Sequence, residues 1–339
     1  MIVIDGGSLT IEKMERVALD FAPVELAAEA RSRVLDSRAV IDRALAGSAA
    51  IYGVNTGFGK LSDVRIPHEE IQQLQLNLLR SHASGVGDPL SESEVRAAIL
   101  LRANSLAKGF SGVRPGIIEA LIGLLNRRVH PVVPSRGSVG ASGDLAPSAH
   151  MALVLIGEGE ALYRGERLPG SMALQRAGLS PVRLQAKEGL SLLNGTQFMA
   201  AVGGLTLGRA GCLMDTADVA ASITLEVLLG SVVADDNRIH QVRSHPGQQK
   251  TAANISRMLR HSAIVESHKD CGRIQDAYSL RCVPQVHGAV RDALDHARDV
   301  LAREINSATD NPLVFAEGNA ILSGGNFHGA PLGYAFDYA

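Results

Sequence analysis

A chain of 339 residues, 46% of them hydrophobic, is long enough to bury a sizeable core as one large domain or two smaller ones. Its 33 basic and 35 acidic residues nearly cancel, which excludes a general electrostatic attraction to nucleic acid or to an anionic membrane. Cys212, Cys271 and Cys282 form no Cys-x-x-Cys pair, so they fit free thiols better than a disulfide framework, and no second ligand pair joins His268-Lys-Asp-Cys271 to complete a metal site.

At the N-terminus, Met1-Ile-Val-Ile-Asp-Gly-Gly carries no basic leader followed by an apolar core, so the sequence points to a cytoplasmic protein, with a short strand at 2–4. Helical periodicity then predicts helices near 10–20, 24–46 and 68–82. Ser91-Glu-Ser-Glu94 reads as a capping box that opens a helix with the stripe Val95, Ala98, Ile99, Leu101 and Leu106, and Gly109 closes it. Further helices are expected near 113–128 and 144–157, followed by a small ribbon at 161–163 and 167–168. Residues 189–208 carry no charge over a length that matches a bilayer. They include Asn194, Thr196, Gln197 and five glycines and run on into Arg209, Asp215 and Asp218, so a buried central helix is the expectation and not a membrane span. Val286, Val290, Leu294, Ala297, Leu301 and Ile305 predict a helix from about 284 to 306, over 30 Å long at about 1.5 Å per residue, which the Asp310-Asn-Pro312 turn stops. A second ribbon at 313–315 and 320–322 follows, and residues 329–339 begin an apolar helical pattern without a cap. The sum is a mainly α protein, a long-helix bundle with a smaller mixed N-terminal part, divided into 1–190 and 191–339. Its last helix reads as the start of a bundle truncated at the C-terminus.

The segment Gly137-Ser-Val-Gly-Ala-Ser-Gly-Asp-Leu-Ala-Pro147 places Ala141-Ser142-Gly143 in a turn of small residues between apolar stretches. With so little side-chain bulk, the Gly143 amide nitrogen can approach the Ala141 carbonyl carbon, close a five-membered ring and lose water. Loss of the Ser142 hydroxyl as a second water then leaves a conjugated ring with an exocyclic methylene, an electrophile made from protein alone. Simpler uses of a glycine loop fit less well. The spacing of glycines 137, 140 and 143 is G-x-x-G-x-x-G and not G-x-G-x-x-G, and Gly57-Phe-Gly-Lys-Leu61 lacks the Walker spacing. Gly140-Ala-Ser-Gly-Asp144 has aspartate where a nucleophile elbow needs its last glycine.

The same segment resembles the cofactor-forming segment of the aromatic amino acid ammonia-lyase family. Tyr52-Gly-Val-Asn-Thr-Gly-Phe-Gly59, Leu192-Leu-Asn-Gly-Thr-Gln197, Gln275-Asp-Ala-Tyr-Ser-Leu-Arg281 and Ser323-Gly-Gly-Asn-Phe-His328 occur in the family's order, so the likeness extends over nearly the whole chain. The resemblance implies a helical bundle of the fumarase/aspartase-like type and a 4-methylidene-imidazole-5-one (MIO) ring made from Ala141, Ser142 and Gly143, with no metal. It implies non-oxidative loss of ammonia from an α-amino acid, the substrate's amine or its aromatic ring attacking the carbon derived from Ser142.

By the same resemblance Tyr52 is the base that takes the β-proton, with glycine neighbours that let its loop close over substrate. Arg281 pairs with the substrate carboxylate, and Tyr278, three residues earlier and on the same face of a helical turn, assists proton transfer. Asn194 and Gln275 hydrogen-bond the cofactor or the substrate amine, and Phe327 is an aromatic beside the electrophile. Ser81-His82 matches members that act on histidine, His82 bonding the imidazole, which implies trans-urocanate as product. A tyrosine ammonia-lyase or a tyrosine 2,3-aminomutase with the same ring is the alternative, and a non-catalytic helical assembly fragment is an alternative of another class. The family likeness also implies a homotetramer with shared active sites, and since the family continues with further long helices the chain is expected to be truncated, cleaved or incomplete, which leaves open a separate C-terminal fragment as a partner.

Overall fold

The computed structural model describes residues 1–47, 49–57, 62, 64–138 and 143–339, and the chain divides into two units, Met1–Gly204 with Leu301–Gly333 and Leu205–Val300 with Tyr334–Ala339. The first unit opens with β1 (Ile2–Ile4), α1 (Ile11–Leu19), β2 (Val24–Leu26), α2 (Ala28–Ala46), α3 (Ile71–His82), β3 (Val86–Pro89), α4 (Glu92–Ala107) and α5 (Pro115–Arg127). It continues through β4 (Val129–Pro131), β5 (Pro134–Arg136), α6 (Leu145–Leu155), β6 (Glu160–Tyr163), β7 (Glu166–Pro169), α7 (Gly170–Arg176), α8 (Glu188–Leu193) and the start of α9 (Gln197–Val227). The chain returns to it with β8 (Leu313–Phe315) and β9 (Ala320–Leu322), which pair as the second expected ribbon.

The helix expected from residue 24 begins only at Ala28, because Val24–Leu26 pair in parallel with Ile2–Ile4 and Val24 N donates to Asn126 Oδ1 at 2.9 Å. β4 extends the first ribbon into a three-stranded sheet in the order β4-β6-β7, a long-range pairing without a local signal.

The capping box at Ser91 forms as expected, but the apolar stripe of α4 widens until every residue from Val95 to Ala107 is buried. A helix covered on all sides is a core helix. Two of its residues are arginines, each 1% exposed, and both serve helix ends. Arg96 donates to Val17 O in α1 through Nε at 2.9 Å and Nη2 at 2.8 Å, and to Leu125 O in α5 at 3.1 Å. The last carbonyls of a helix have no intrahelical donor and carry partial negative charge, so a buried guanidinium there satisfies both itself and them. Burial pulls Arg96 down to about 10, which leaves it charged at neutral pH.

Arg96 also fixes the state of His130. Its Nη1 lies 3.2 Å from His130 Nε2, which must therefore accept, while Nδ1 faces Glu92 at 3.3 Å. Burial, with the nearby Arg96, brings this imidazole down to about 4 against the pull of Glu92. An unfolded His130 titrates near 6.5, so between about 6.5 and 4 the unfolded chain binds the extra proton. Stability is expected to fall as the pH drops through that window, by up to about 1.4 kcal/mol per pH unit from this group. Urea unfolding at a series of pH values checks it: the His130→Gln variant should show a shallower acid slope, and an unchanged slope assigns the acid sensitivity elsewhere.

The second unit holds the rest of α9, then α10 (Asn237–Gln241), α11 (Pro246–Met258), α12 (Ala263–Ser267), α13 (Tyr278–Arg281), most of α14 (Val283–Glu304) and the end of α15 (Ala330–Tyr338). Leu225, Ile255 and Leu259 form a core there, and Arg291 ties α14 to Asp215 and Asp218 of α9 at 2.8 and 2.6 Å. Asp218 also accepts from Asn254 and contacts His287 Nδ1 at 2.8 Å. Among the described residues no helix is long and apolar enough to cross a membrane.

Candidate active site

The uncharged run 189–208 is not one helix. α8 ends at Leu193, Asn194 is extended (φ −66°, ψ 137°), Gly195 has φ +125°, and α9 starts at Gln197. A methyl group at Gly195 would lie 2.4 Å from Gln197 Oε1 and 2.6 Å from Thr309 Oγ1, so a side chain there would have to displace the Gln197–Thr309 pair, and the backbone conformation itself favours glycine. The broken end is satisfied by the second arginine of α4: Arg102 donates to the carbonyls of Ser191, Leu193 and Asn194 and to Ser148 Oγ. Burial brings Arg102 down to about 10, so it keeps its charge.

Ala141 and Ser142 lie outside the described residues. Gly143, at φ +69°, bridges in parallel to Gly195, and the next amide, Asp144 N, donates to Gly195 O at 2.9 Å. Asp144 Oδ2 accepts from Met199 N at 2.8 Å, so this carboxylate caps the N-terminus of α9 from a distant part of the chain. Burial pushes the Asp144 carboxyl up to about 6 against the α9 amides, the Ser138 hydroxyl and Arg102. A methyl group at Gly143 would stand 2.3 Å from Gly195 O and 2.9 Å from Phe327 O. The backbone here tolerates no side chain, and a ring closed through an unhindered glycine nitrogen fits that cradle.

Asn194 is held through its side chain as well. Its Nδ2 donates to Asp310 Oδ1 at 3.2 Å and to Asn311 O at 2.7 Å. Asp310 in turn accepts from Lys187 Nζ at 2.6 Å and from Asn311 N at 2.6 Å, and Lys187 also donates to Ser191 Oγ at 2.9 Å. Burial alone would raise Asp310, but Lys187 and the amide donors hold it below the usual carboxylate range; burial lowers Lys187 against the pull of Asp310.

Tyr52 is half-buried, and burial pushes its phenol above the usual value. Its neighbour Gly53 (φ +73°) packs so closely that a methyl there would lie 2.6 Å from Leu190 Cδ2 and 3.0 Å from Pro312 Cδ, which puts the tyrosine loop on α8 and beside the Asp310 segment. Asn55 pins the loop by accepting from Ile51 N and donating to Ala49 O. His82 ends α3, which packs on α6 and α8 and whose buried Gln75, two turns earlier on the same face, accepts from Gly189 N at 2.9 Å. His82 Nδ1 lies 2.9 Å from Leu78 O, an acceptor only, so Nδ1 carries the proton and Nε2 is left to accept. Phe327 is half-buried, with its carbonyl at the Gly143 turn.

Gln275, Tyr278 and Arg281 belong to the second unit. Gln275 and Arg281 line a cavity of about 790 Å³ together with Asp276 and Gln285, and Arg281 Nε and Gln285 Oε1 are buried with no hydrogen-bond partner among the described residues. The Arg281 guanidinium carbon sits 5.5 Å from the centroid of the Tyr278 ring, the shared face that a three-residue spacing predicts, and Tyr278 is 73% exposed. Thus Tyr52, His82, Gly143, Asn194 and Phe327 fall in one unit and the other three in the second. The sequence analysis gave Arg102, Asp144, Lys187 and Asp310 no part in the site; the arginines set among the apolar residues of α4 were the available signal for Arg102. Among the described residues no group of three or more His, Cys, Asp or Glu side chains is placed to hold a metal.

The family profile described as aromatic amino acid lyase matches residues 9–339. A histidine ammonia-lyase of Myxococcus xanthus (strain DK1622) is 56% identical over 336 residues, 99% of this chain and 66% of the relative. One from Stigmatella aurantiaca matches at the same identity and coverage. The chain thus spans about two thirds of the length of these curated relatives. Among solved structures, tyrosine aminomutase from Streptomyces globisporus superposes with a TM-score of 0.93 at 40% identity, covering 99% of this chain and 67% of that one. Histidine ammonia-lyase from Trypanosoma cruzi superposes at 0.90 and 38% identity, covering 99% and 63%.

Proposed function

Because the chain belongs to the aromatic amino acid lyase family, we propose that it is a carbon–nitrogen lyase that eliminates ammonia from L-histidine to give trans-urocanate, using an MIO ring formed from Ala141, Ser142 and Gly143. The observation that carries the reading is the Gly143 turn, bridged to Gly195 through the Asp144 N–H bond to Gly195 O and closed to any side chain. When formed, the ring supplies an electrophilic carbon that converts a poor nitrogen leaving group into a good one. Tyr52 takes the β-proton, and Asn194 Oδ1, the acceptor end of an amide whose nitrogen is engaged by Asp310 and Asn311, receives an N–H from the substrate amine or the ring. His82 Nε2 accepts from the substrate imidazole, which favours histidine as substrate, in keeping with the histidine ammonia-lyases among the relatives. Arg281, whose buried Nε has no partner among the described residues, suits a forked contact with the substrate carboxylate, and Tyr278 and Gln275 act beside it. We assign the assembly as a cytoplasmic homotetramer with active sites shared between chains.

Intact mass under denaturing conditions, with product analysis on L-histidine and L-tyrosine, tests the reading. A deficit of two waters mapped to the Ser142 peptide, with urocanate from histidine, is the expected result. Coumarate or β-tyrosine from tyrosine moves the assignment to tyrosine chemistry, for which the aminomutase likeness is the support. An unshifted mass removes the lyase assignment, and the same spectrum reveals any retained C-terminal fragment.

A further inference from the structure

Asn194 presents a choice that the fold resolves. A side-chain amide is nearly symmetric in shape, and only the chemistry of its partners decides which end points where. Both groups facing its inner end, Asp310 Oδ1 and Asn311 O, are acceptors only. Turning the amide over would set an oxygen against a carboxylate and a carbonyl. We propose that Asp310 is a positioning residue for the elimination: it fixes the Asn194 amide with nitrogen turned into the fold and oxygen left for a donor on the substrate or the ring.

The proposal rests on the lyase reading for what the oxygen then binds, but the orientation itself stands on the geometry. Lys187 is completely buried and Asp310 is 2% exposed. Burying such a pair is a poor route to stability, since well-packed apolar side chains of similar size serve as well or better. What apolar residues would not supply is a permanent acceptor beside Asn194. Lys187 keeps Asp310 ionised, and Asn311 N occupies the same Oδ1 that receives Asn194, so the carboxylate cannot rotate away without losing several bonds at once. Arg102 holds the main chain of the same residue through its carbonyl, so backbone and side chain are fixed by separate charges.

The sequence Asn194-Gly195 supplies a probe that does not depend on turnover. In a mobile asparagine the following amide nitrogen attacks Cγ, the C–Nδ2 bond breaks and ammonia leaves, and water then opens the succinimide to aspartate or isoaspartate. A held amide resists this. The experiment compares the full chain with Asp310→Asn and with Lys187→Met/Asp310→Asn, the latter removing the unpaired buried ammonium in case the single variant fails to fold. Peptide mapping after incubation at mildly alkaline pH should show Asn194 deamidating several-fold faster in both variants, with the Asn306-Ser307 peptide unchanged. Equal rates at Asn194, or a rise shared by both peptides, overturn the proposal. In parallel, Asp310→Asn should lower kcat/KM for L-histidine by about 100-fold, the scale of a small misplacement of a reacting group, and should cost little more when added to Asn194→Ala. Independent, multiplying losses show that Asp310 does not act through Asn194. A wild-type chain without ring or turnover sinks only the lyase reading, because the deamidation comparison still decides the orientation.

Discussion

Replacing Gly143 by alanine is expected to give a chain whose mass shows no loss of water and whose turnover falls on the order of 10³-fold or more, as when a group acting directly on the transition state is removed. Two costs coincide at this position. A left-handed conformation at φ +69° costs a non-glycine residue about 1–3 kcal/mol. The added methyl would also stand 2.3 Å from Gly195 O, well inside contact distance, and the obstacle is backbone and not the end of a flexible side chain. Gly195 has little freedom to retreat, being bonded to Asp144 N and followed by a helix that the Asp144 carboxylate caps. The Gly143 backbone must therefore shift, which displaces the nitrogen that has to close the ring. Gly178→Ala separates the two costs: its φ is +71°, yet nothing lies within 4 Å of the added methyl. That variant should lose some stability and keep both the two-water deficit and the activity. A full deficit in the Gly143→Ala protein would show that the tight packing at Gly195 has no part in cyclisation.

These two glycines also mark what the sequence could and could not tell. The Ser91 capping box, the ribbon at 313–322 and the helix that ends before Asp310 were legible because each is written in adjacent residues, by a cap, a turn or a 3.6-residue period. The motif blocks were recognisable through family likeness, and Tyr278 and Arg281 share the face their spacing implies. The break at 194–196 was not, since an uncharged run reads as helix until the partners of its free ends are known. Those partners are remote: Arg102 comes from α4, Lys187 meets Asp310 across 123 positions and Asn194 meets it across 116. A local reading of Lys187-Glu188 sees an ordinary charged turn, whereas both side chains are fully buried in the fold. Nor does any periodicity announce that residues 301–333 return to the unit that contains the N-terminus.

The Tyr52→Phe variant should retain the two-water deficit and the fold while kcat/KM for L-histidine drops by about 10²–10⁴-fold, the usual contribution of a positioned base. The change deletes one oxygen and leaves the ring that packs in the loop. Nothing in the closure of Ala141-Ser142-Gly143 calls on this phenol, so mass and melting temperature serve as internal controls. The pH dependence carries the sharper test. A phenol is a base only when ionised, and burial raises Tyr52 above its ordinary value near 10, so at neutral pH only a small fraction of the protein holds the competent form. In the wild type the rate should therefore climb with pH, approaching tenfold per unit while this single ionisation controls it, until another group limits turnover. Positive charge brought in with the remaining site residues would move the curve to lower pH without changing its slope. In the phenylalanine variant the climb should vanish along with the rate. A variant that keeps the wild-type slope at reduced amplitude would assign the base to another residue and leave Tyr52 to shape the loop, a role its glycine-rich, closely packed surroundings also require.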